Sequence, residues 1–375
     1  MPDPQTSFFS PDYATARARF LDLAQQKGAT TSHIDLGAKG PKGLPLTIDI
    51  AVFGSKKPKK VLLHCSGLHG IEGFAGSAIQ LALLSELVDP PNDCAMVFVH
   101  ALNPFGMAWL RRVNENNVDL NRNFLDQDET YAGAPDHYTR LNPMMNPESP
   151  PAFDFFLLRT IGSILKSGFN ALKQSIVGGQ YEYPNGLFFG GKQLEEGPTQ
   201  YLQWLREHLS AAEHVVAIDI HTGLGKQGFD TLLVDGGPEN VLYQQLEVAF
   251  GDHVAPWDPE NSVAYEIRGG HGEGIRNSLT DTTVHFVTQE FGTLPPLKVL
   301  HALREENRWH HWGPGTEKTG HLEHPAKQNI LHAFRPDSPN WRNAVIDRGM
   351  EVAEQAKQLA FASTPVQNSA ATPDI

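Results

Sequence analysis

The chain has 375 residues, of which 40% are hydrophobic, so it is long enough to bury a large core as one big domain or two smaller ones. Its formal charge of -13 at pH 7 argues against nucleic acid or an anionic membrane as the main partner, because both require a positive surface. Two cysteines exclude a disulfide scaffold, and we find neither a signal peptide nor an apolar run near the roughly 20 residues that cross a bilayer, so we expect a cytoplasmic protein.

The first 60 residues have the patterns of a helix and a strand, which we interpret as packing elements. Residues 11–27 have the pattern of a helix with Gly28 as its stop, and residues 46–54 begin with the alternation of a strand. The lysine-rich turn over residues 56–60 is interpreted as a solvated charge run.

The next segment places an imidazole and a carboxylate on one turn. His69 and Glu72 lie between an apolar strand predicted over residues 60–65 and a helix predicted over 74–84. In an α/β protein such a turn lies at the carboxyl edge of the sheet, where ligands bind. Both side chains suit zinc, which in catalytic sites takes three protein ligands and leaves a fourth position for water. Taken alone, however, the spacing favours a solvated turn, because polar pairs often recur at that distance by chance.

A strand predicted over residues 95–100 leads into a polar segment with three arginines. Residues 109–124 have the sequence WLRRVNENNVDLNRNF, which lacks the periodicity of a regular element. Arginine can bind a carboxylate through two hydrogen bonds or stabilise an oxyanion where water is excluded. A solvated loop, with its arginines paired to Glu115 and Asp119, is an equally good interpretation of these residues alone.

The region from 125 to 213 holds a proline- and asparagine-rich loop, a helix predicted over 153–174, a glycine-rich aromatic turn over 178–191 and a helix predicted over 200–209. Aromatic side chains between glycines can wall a substrate pocket, although loops that merely pack on the surface are commoner.

A second imidazole lies at the end of a later strand. Residues 214–220 form an apolar strand that ends in His221, just before a glycine turn. His69 and Glu72 also follow a strand, so the three side chains can converge at one edge of one sheet. Together they would supply the three protein ligands of a catalytic zinc site.

A carboxylate ends the strand predicted over residues 284–289. Glu290 follows an apolar run, and an unpartnered carboxylate is costly to bury there, which makes it a candidate general base with a shifted pKa. The alternative is a strand-end glutamate in water.

The remaining segments complete an alternating α/β pattern. A strand is predicted over 229–235, and helices over 239–250, from 296 to about 311 and over 340–359. The glycine-rich stretch over 265–274 is consistent with a mobile flap. Residues 361–375 are rich in serine, threonine, proline and alanine, which predicts a disordered tail.

Four motifs in this order resemble the zinc carboxypeptidase superfamily of metallopeptidases, and in detail its DUF2817-type bacterial branch. They are His69-x-x-Glu72, VDLNRNF over 118–124, IHTG over 220–223 and QEFG over 289–292. The resemblance implies an α/β fold with a central mixed sheet of about eight strands flanked by helices, and one Zn2+ per chain at its carboxyl edge. It also implies one catalytic domain over residues 1–360, with an insertion at about 125–213.

The resemblance assigns the ligands and the base by position. His69, Glu72 and His221 would hold zinc, and Glu290 would take a proton from the attacking water and pass it to the leaving amine. Asp119 would orient His69 by accepting a hydrogen bond from its ring.

It assigns the substrate contacts in the same way. Arg112, or the adjacent Arg111, would polarise the scissile carbonyl, and Asn121 and Arg122 would bind the terminal carboxylate of the substrate. Tyr265 would correspond to the flap tyrosine of digestive carboxypeptidases, although its surroundings match poorly.

The leading prediction is therefore a zinc-dependent metallocarboxypeptidase that acts on a peptide or peptide-like substrate with a free carboxylate. The DLNR run also resembles the aspartoacylase and succinylglutamate desuccinylase branch, so an N-acyl amino acid deacylase is the alternative. The interval from Arg122 to His221 is longer than in digestive carboxypeptidases, which leaves the substrate open. A third hypothesis is a zinc-binding protein without catalysis, against which intact Glu290 and the arginines weigh.

Overall fold

A mixed β-sheet forms the centre of the structure. The computed structural model describes residues 5–167, 174, 176–256, 267–314 and 322–362, and within these ranges eight strands form one sheet. The strands are β1 (Thr30–Lys39), β2 (Pro45–Gly54), β3 (Lys60–Ser66), β4 (Cys94–His100), β5 (His214–Gly223), β6 (Asp230–Val234), β7 (Val254–Pro256) and β8 (Thr283–Gly292).

The order of the strands across the sheet is β1-β2-β4-β3-β5-β8-β6-β7. The four central strands, β4, β3, β5 and β8, are mutually parallel, while β2 and β6 join them antiparallel. Parallel strands end at the same edge, so the residues that follow β3, β5 and β8 meet there. The predicted fold class, an α/β protein with a mixed sheet of about eight strands, is confirmed.

The apolar composition of the central strands explains why they lie in the middle of the sheet. All residues of β3 after Lys60 are buried, as are all residues of β4, which is typical of parallel strands covered on both faces. In contrast, β1 is an edge strand in which Ile34 is the buried residue. Ile34, Leu36 and Ala38 alternate with more polar residues as in a strand, but the alternation is short and β1 was not predicted.

Helices cover both faces of the sheet. They are α1 (Tyr13–Gln26), α2 (Gly73–Ser85), α3 (Pro104–Ala108), α4 (Asp136–Met145), α5 (Phe156–Ser167), α6 (Glu196–Leu209), α7 (Val241–Phe250), α8 (His271–Ser278), α9 (Pro296–Trp312), α10 (Pro325–Phe334) and α11 (Pro339–Phe361). Side chains from α1, α2, α7 and α11 form one hydrophobic cluster with the sheet, and α6 and α8 contribute to another.

Helix α2 lies unusually close to the strand that precedes it. A Cβ atom added to Gly76 would lie 2.5 Å from the Cβ of Ser66, so only glycine permits this approach. The strand β3 and the start of α2 thus hold the turn between them, residues 67–72, in one place.

The structure differs from the predictions in several segments. Helix α5 begins at Phe156, three residues later than predicted, and β1, β7, α3, α4 and α10 were not predicted. The stretch over 265–274, interpreted as a flap, contains the start of helix α8 from residue 271 onward. The tail beyond residue 362 lies outside the described residues. Among the helices that the structure describes, none is long and apolar enough to cross a membrane.

Candidate metal centre

The turn after β3 is fixed by backbone hydrogen bonds to the arginine-rich segment. The N–H of Gly70 donates to the carbonyl of Arg112 at 3.1 Å, and the N–H of Ile71 donates to that of Arg111 at 2.8 Å. The approach is so close that a Cβ on Gly70 would lie 2.1 Å from the carbonyl carbon of Gly106. The backbone that carries His69 and Glu72 therefore has little freedom.

Strand β5 brings His221 to this turn. Since β3 and β5 are parallel and pair Ser66 with Ile220, the residue after Ile220 lies beside the chain that leaves β3. The backbone N–H of Thr222 donates to Oε2 of Glu72 at 2.9 Å, which ties the two strand ends together.

Three side chains present their ligand atoms to one point. The Nδ1 atom of His69 lies 2.9 Å from Oε1 of Glu72 and 3.1 Å from Nδ1 of His221, which is 3.4 Å from Oε2 of Glu72. None of the three residues is more than 3% exposed. These separations suit zinc, because donors about 2.0–2.1 Å from a tetrahedral metal lie about 3.3 Å apart. Two imidazoles and a carboxylate are also a donor set that zinc prefers, so the residues fit the ion.

The Nε2 atom of each imidazole lies within hydrogen-bonding distance of a carboxylate. Nε2 of His69 lies 3.0 Å from Oδ1 of Asp119, and Nε2 of His221 lies 3.0 Å from Oδ2 of Asp219. A carboxylate only accepts hydrogen bonds when ionised, so each ring donates from Nε2 and keeps a lone pair on Nδ1. Both rings thus present the nitrogen a metal requires.

Asp219 was missed in the sequence analysis, although a signal was present. It precedes His221 by two positions on the same strand, so the period of two places both side chains on one face of β5. Asp219 places a carboxylate between Ile218 and Ile220 in a buried strand. Such a carboxylate is costly to bury without a partner, which is the argument that made Glu290 a candidate base.

The charges of the site favour a cation. Burial raises the pKa of Glu72, but the neighbouring imidazoles and Arg112 outweigh it and hold that pKa below its usual value. Burial lowers the pKa of His221, yet Asp219 and Glu72 raise it well above its usual value. Glu72 is therefore ionised, and its carboxylate can bind a cation together with the two Nδ1 atoms.

Glu290 stands beside this point on strand β8. Its Oε1 atom accepts a hydrogen bond from the backbone N–H of Leu224 at 2.8 Å. Burial and the negative charge of Glu72 raise the pKa of Glu290 to about 7. A carboxylate with such a pKa is suited to exchange protons near neutral pH.

The two adjacent arginines point to different places. Arg112 donates from Nη1 to Oε1 of Glu72 and from Nε to Oδ2 of Asp119, both at 3.0 Å. Arg111 is fully buried and donates instead to Oε1 of Glu306 at 3.0 Å and to Oδ1 of Asn117 at 2.8 Å. Of the two, Arg112 contacts the metal centre.

Asn121 and Arg122 lie next to the centre on a short helical turn, where backbone groups engage them. Oδ1 of Asn121 accepts from the N–H of His271 at 3.1 Å. The guanidinium of Arg122 donates to the carbonyl of Val177, from Nη2 at 2.6 Å, and to that of Asn121. The predicted flap residue, Tyr265, lies outside the described residues.

A family model described as "Protein of unknown function (DUF2817)" matches residues 9–348. The match confirms the DUF2817 assignment predicted from the four motifs. No curated protein matches the sequence.

Solved structures with a similar arrangement include several hydrolases. Carboxypeptidase A from Helicoverpa armigera is 14% identical, with 93% of this chain and 74% of that chain covered and a TM-score of 0.44. The murein-tripeptide amidase MpaA from Escherichia coli O157 is 19% identical, with 76% and 96% covered and a TM-score of 0.36. A succinylglutamate desuccinylase from Silicibacter sp. TM1040 is 14% identical, with 76% and 70% covered and a TM-score of 0.34. At such scores these similarities assign no activity to this chain.

Proposed function

The chain belongs to the DUF2817 family, and we propose that it is a zinc-dependent hydrolase that cleaves an amide bond next to a free carboxylate, as a metallocarboxypeptidase acting on peptides or peptide-like molecules. One observation carries the proposal: the ligand atoms of His69, Glu72 and His221 converge within 3.4 Å in a buried site, beside Glu290. When bound, a zinc ion supplies Lewis-acid chemistry, because it polarises a carbonyl and lowers the pKa of a water molecule.

Glu290 is the proposed general base. In the reaction, water adds to the amide carbon, the C–N bond breaks, and the products are a carboxylic acid and an amine. The carboxylate of Glu290 takes the proton that the water loses and returns a proton to the leaving nitrogen, so its own charge is restored at the end of the cycle. A pKa raised to about 7 by burial and by Glu72 suits both transfers.

Arg112 is the proposed stabiliser of the negative charge that develops on the carbonyl oxygen. Its guanidinium is held at the centre by Glu72 and Asp119, so it need not reorganise when charge develops. Asn121 and Arg122 are proposed to bind the substrate carboxylate, because the N–H groups of an amide and of a guanidinium can donate hydrogen bonds to its oxygens.

The second candidate is an N-acyl amino acid deacylase, which would use the same centre and the same Arg122, against which the insertion packs. Val177 accepts from the guanidinium of Arg122, and the hydroxyl of Tyr181 donates to the carbonyl of Arg122 at 2.8 Å. A Cβ on Gly179 would lie 2.7 Å from Cδ of Arg122. The insertion thus packs around Arg122, which is fully buried and donates to backbone carbonyls, so a substrate carboxylate would have to share or replace these hydrogen bonds.

The domain organisation and location are part of the same proposal. Residues 1–360 would act as one catalytic domain with an insertion at about 125–213. Cys65 and Cys94 are both buried free thiols, which is consistent with a cytoplasmic enzyme.

The test is the metal content of purified protein, with and without the His221→Ala change, alongside hydrolysis of a panel of peptides and N-acyl amino acids. We expect about one zinc per chain, lost together with activity in the variant. Release of a C-terminal residue would identify the carboxypeptidase, and release of a small acid would identify the deacylase. Activity in metal-free protein would overturn the proposal, and full zinc occupancy without hydrolysis of any amide would favour the non-catalytic hypothesis.

A further inference from the structure

A buried histidine outside the proposed reaction contacts the hydrogen-bond partner of a metal ligand. His271 is the first residue of α8 and is 1% exposed. Its ring lies among aromatic side chains, with centroids 5.4 Å from Phe124, 5.5 Å from Tyr201 and 5.6 Å from Phe286. Packing alone would make it an ordinary core residue, but both of its ring nitrogens also have polar partners.

The polar partner on one side is Asp219. Nδ1 of His271 lies 2.8 Å from Oδ2 of Asp219, and the same oxygen lies 3.0 Å from Nε2 of His221. Because an aspartate carboxylate accepts, both rings donate to it. A neutral His221 then carries its proton on Nε2, and a neutral His271 carries its proton on Nδ1.

The partners on the other side agree with this assignment. With its proton on Nδ1, His271 has an acceptor at Nε2, which lies 3.2 Å from the hydroxyl of Tyr201. The oxygen of Tyr201 lies 3.6 Å from Sγ of Cys65, whose thiol can donate in turn. Donation therefore runs from Cys65 through Tyr201 and His271 to Asp219, where His221 donates from the opposite side.

Glycines hold α8 against these groups. A Cβ on Gly272 would lie 2.5 Å from the ring of Phe286, and one on Gly274 would lie 2.4 Å from the ring of Phe124. The glycines after His271 thus serve close packing, which limits how far the imidazole can move from Asp219.

The backbone of the same residue holds a second part of the site. The N–H of His271 donates to Oδ1 of Asn121 at 3.1 Å. This orients the side-chain amide of Asn121 so that its N–H groups remain the donors, and it does not depend on the side chain at position 271.

We propose that His271 is a positioning residue that fixes the tautomer and ring orientation of the zinc ligand His221 through Asp219. The inference rests on the proposed function, since it takes His221 as a ligand. Direct hydrogen-bond partners of a ligating histidine change metal affinity about 10–100-fold when they are replaced, and His271 lies one hydrogen bond further from the ligand.

Two variants separate this role from core packing. The amide N–H of asparagine can take the place of Nδ1, whereas glutamine places its amide near Nε2, so His271→Asn keeps the donor to Asp219 and His271→Gln does not. Zinc affinity is measured by competition with a chelator, and thermal unfolding of the metal-free proteins reports on the fold. We expect His271→Asn to bind zinc as tightly as the unaltered protein and His271→Gln to bind it more weakly, by up to about 10-fold.

Hydrolysis adds a second comparison. His271→Gln should lower kcat and leave KM unchanged, because the backbone donor to Asn121 is retained. If the two variants bind zinc with the same affinity, whether normal or weakened, the inference about His271 is wrong and the proposed function still stands. A failure of the unaltered protein to bind zinc would overturn the proposed function and, with it, this inference.

Nitrogen-15 NMR of the unaltered zinc-loaded protein tests the same point without any substitution. We expect the proton of His221 on Nε2 and that of His271 on Nδ1. The opposite tautomer at either ring would contradict the assignment, even if both variants failed to fold.

Discussion

His221 on β5 and Glu290 on β8 are register partners in neighbouring parallel strands. The proposed ligand and the proposed base are therefore positioned by the sheet ladder itself. A slip of one residue between these strands would turn one of the two side chains to the opposite face. The centre of the site is thus as rigid as the central sheet.

Replacing Glu290 by glutamine should remove the base and leave the metal centre intact. Glutamine can still accept the hydrogen bond from Leu224, but it cannot take a proton. We expect kcat to fall by about 10²–10⁴-fold, as is usual when a general base is removed. Steady-state kinetics and zinc content measured on the same sample would check this. Normal kcat in a zinc-loaded Glu290→Gln protein would rule out the assigned role.

The activity should rise with pH. Burial and the charge of Glu72 raise the pKa of Glu290 to about 7, and below its pKa the carboxyl is protonated and cannot act as a base. A bound cation offsets the charge of Glu72, so the apparent pKa should lie at or below that value. The check is kcat/KM from about pH 5 to about pH 9, where an ascending acid limb is expected. An activity that falls over this limb as the pH rises would contradict the assignment.

The cluster of His69, Glu72 and His221 could be predicted because its signals are local. These residues and Glu290 lie at or just after the ends of apolar strands, one or two residues before a glycine. Parallel strands end at a common edge, so a pattern in sequence becomes a cluster in space. The fold class could be predicted for the same reason, because buried parallel strands have long apolar runs.

The role of His271 and the choice between Arg111 and Arg112 could not be predicted, because both depend on packing between distant elements. The position of His271 relative to Asp219 follows from the docking of α8, and its glycine-rich neighbours favoured a flap instead. Arg111 and Arg112 are chemically identical neighbours, and only the path of the loop turns one to Glu306 and the other to Glu72.

Zinc should stabilise the fold. Glu72, Asp119, Asp219 and Glu290 are four buried carboxylates around one point, and a cation reduces their mutual repulsion. At free zinc about 1,000 times its Kd, binding to the folded state alone adds about 4.1 kcal/mol to the free energy of unfolding. Thermal unfolding with and without a chelator measures the change. The shift should vanish in His69→Ala, and a shift that persists there would place the ion elsewhere.

Substitution of Arg111 should lower mainly the stability of the protein, whereas substitution of Arg112 should lower mainly its activity. Arg111→Lys loses hydrogen bonds to Asn117 and Glu306 in the interior, which should lower the free energy of unfolding by roughly 1–3 kcal/mol with little change in kcat/KM. Arg112→Lys loses the two-pronged contact with Glu72 and Asp119 and should lower kcat/KM by about 10²–10³-fold. Chemical denaturation and kinetics on both variants provide the test. A reversed pattern would show that Arg111 serves the site.

The turn that carries two ligands should be intolerant of a single methyl group. In Gly70→Ala the new Cβ would lie 2.1 Å from the carbonyl carbon of Gly106, so the backbone of the turn must move and take His69 and Glu72 with it. We expect weaker zinc binding and a lower melting temperature. Gly162→Ala in α5 is the matched control, because its Cβ meets nothing within 4 Å, and helix propensity should stabilise it by up to about 1 kcal/mol. Unchanged zinc affinity in Gly70→Ala would mean that the ligands do not depend on this turn.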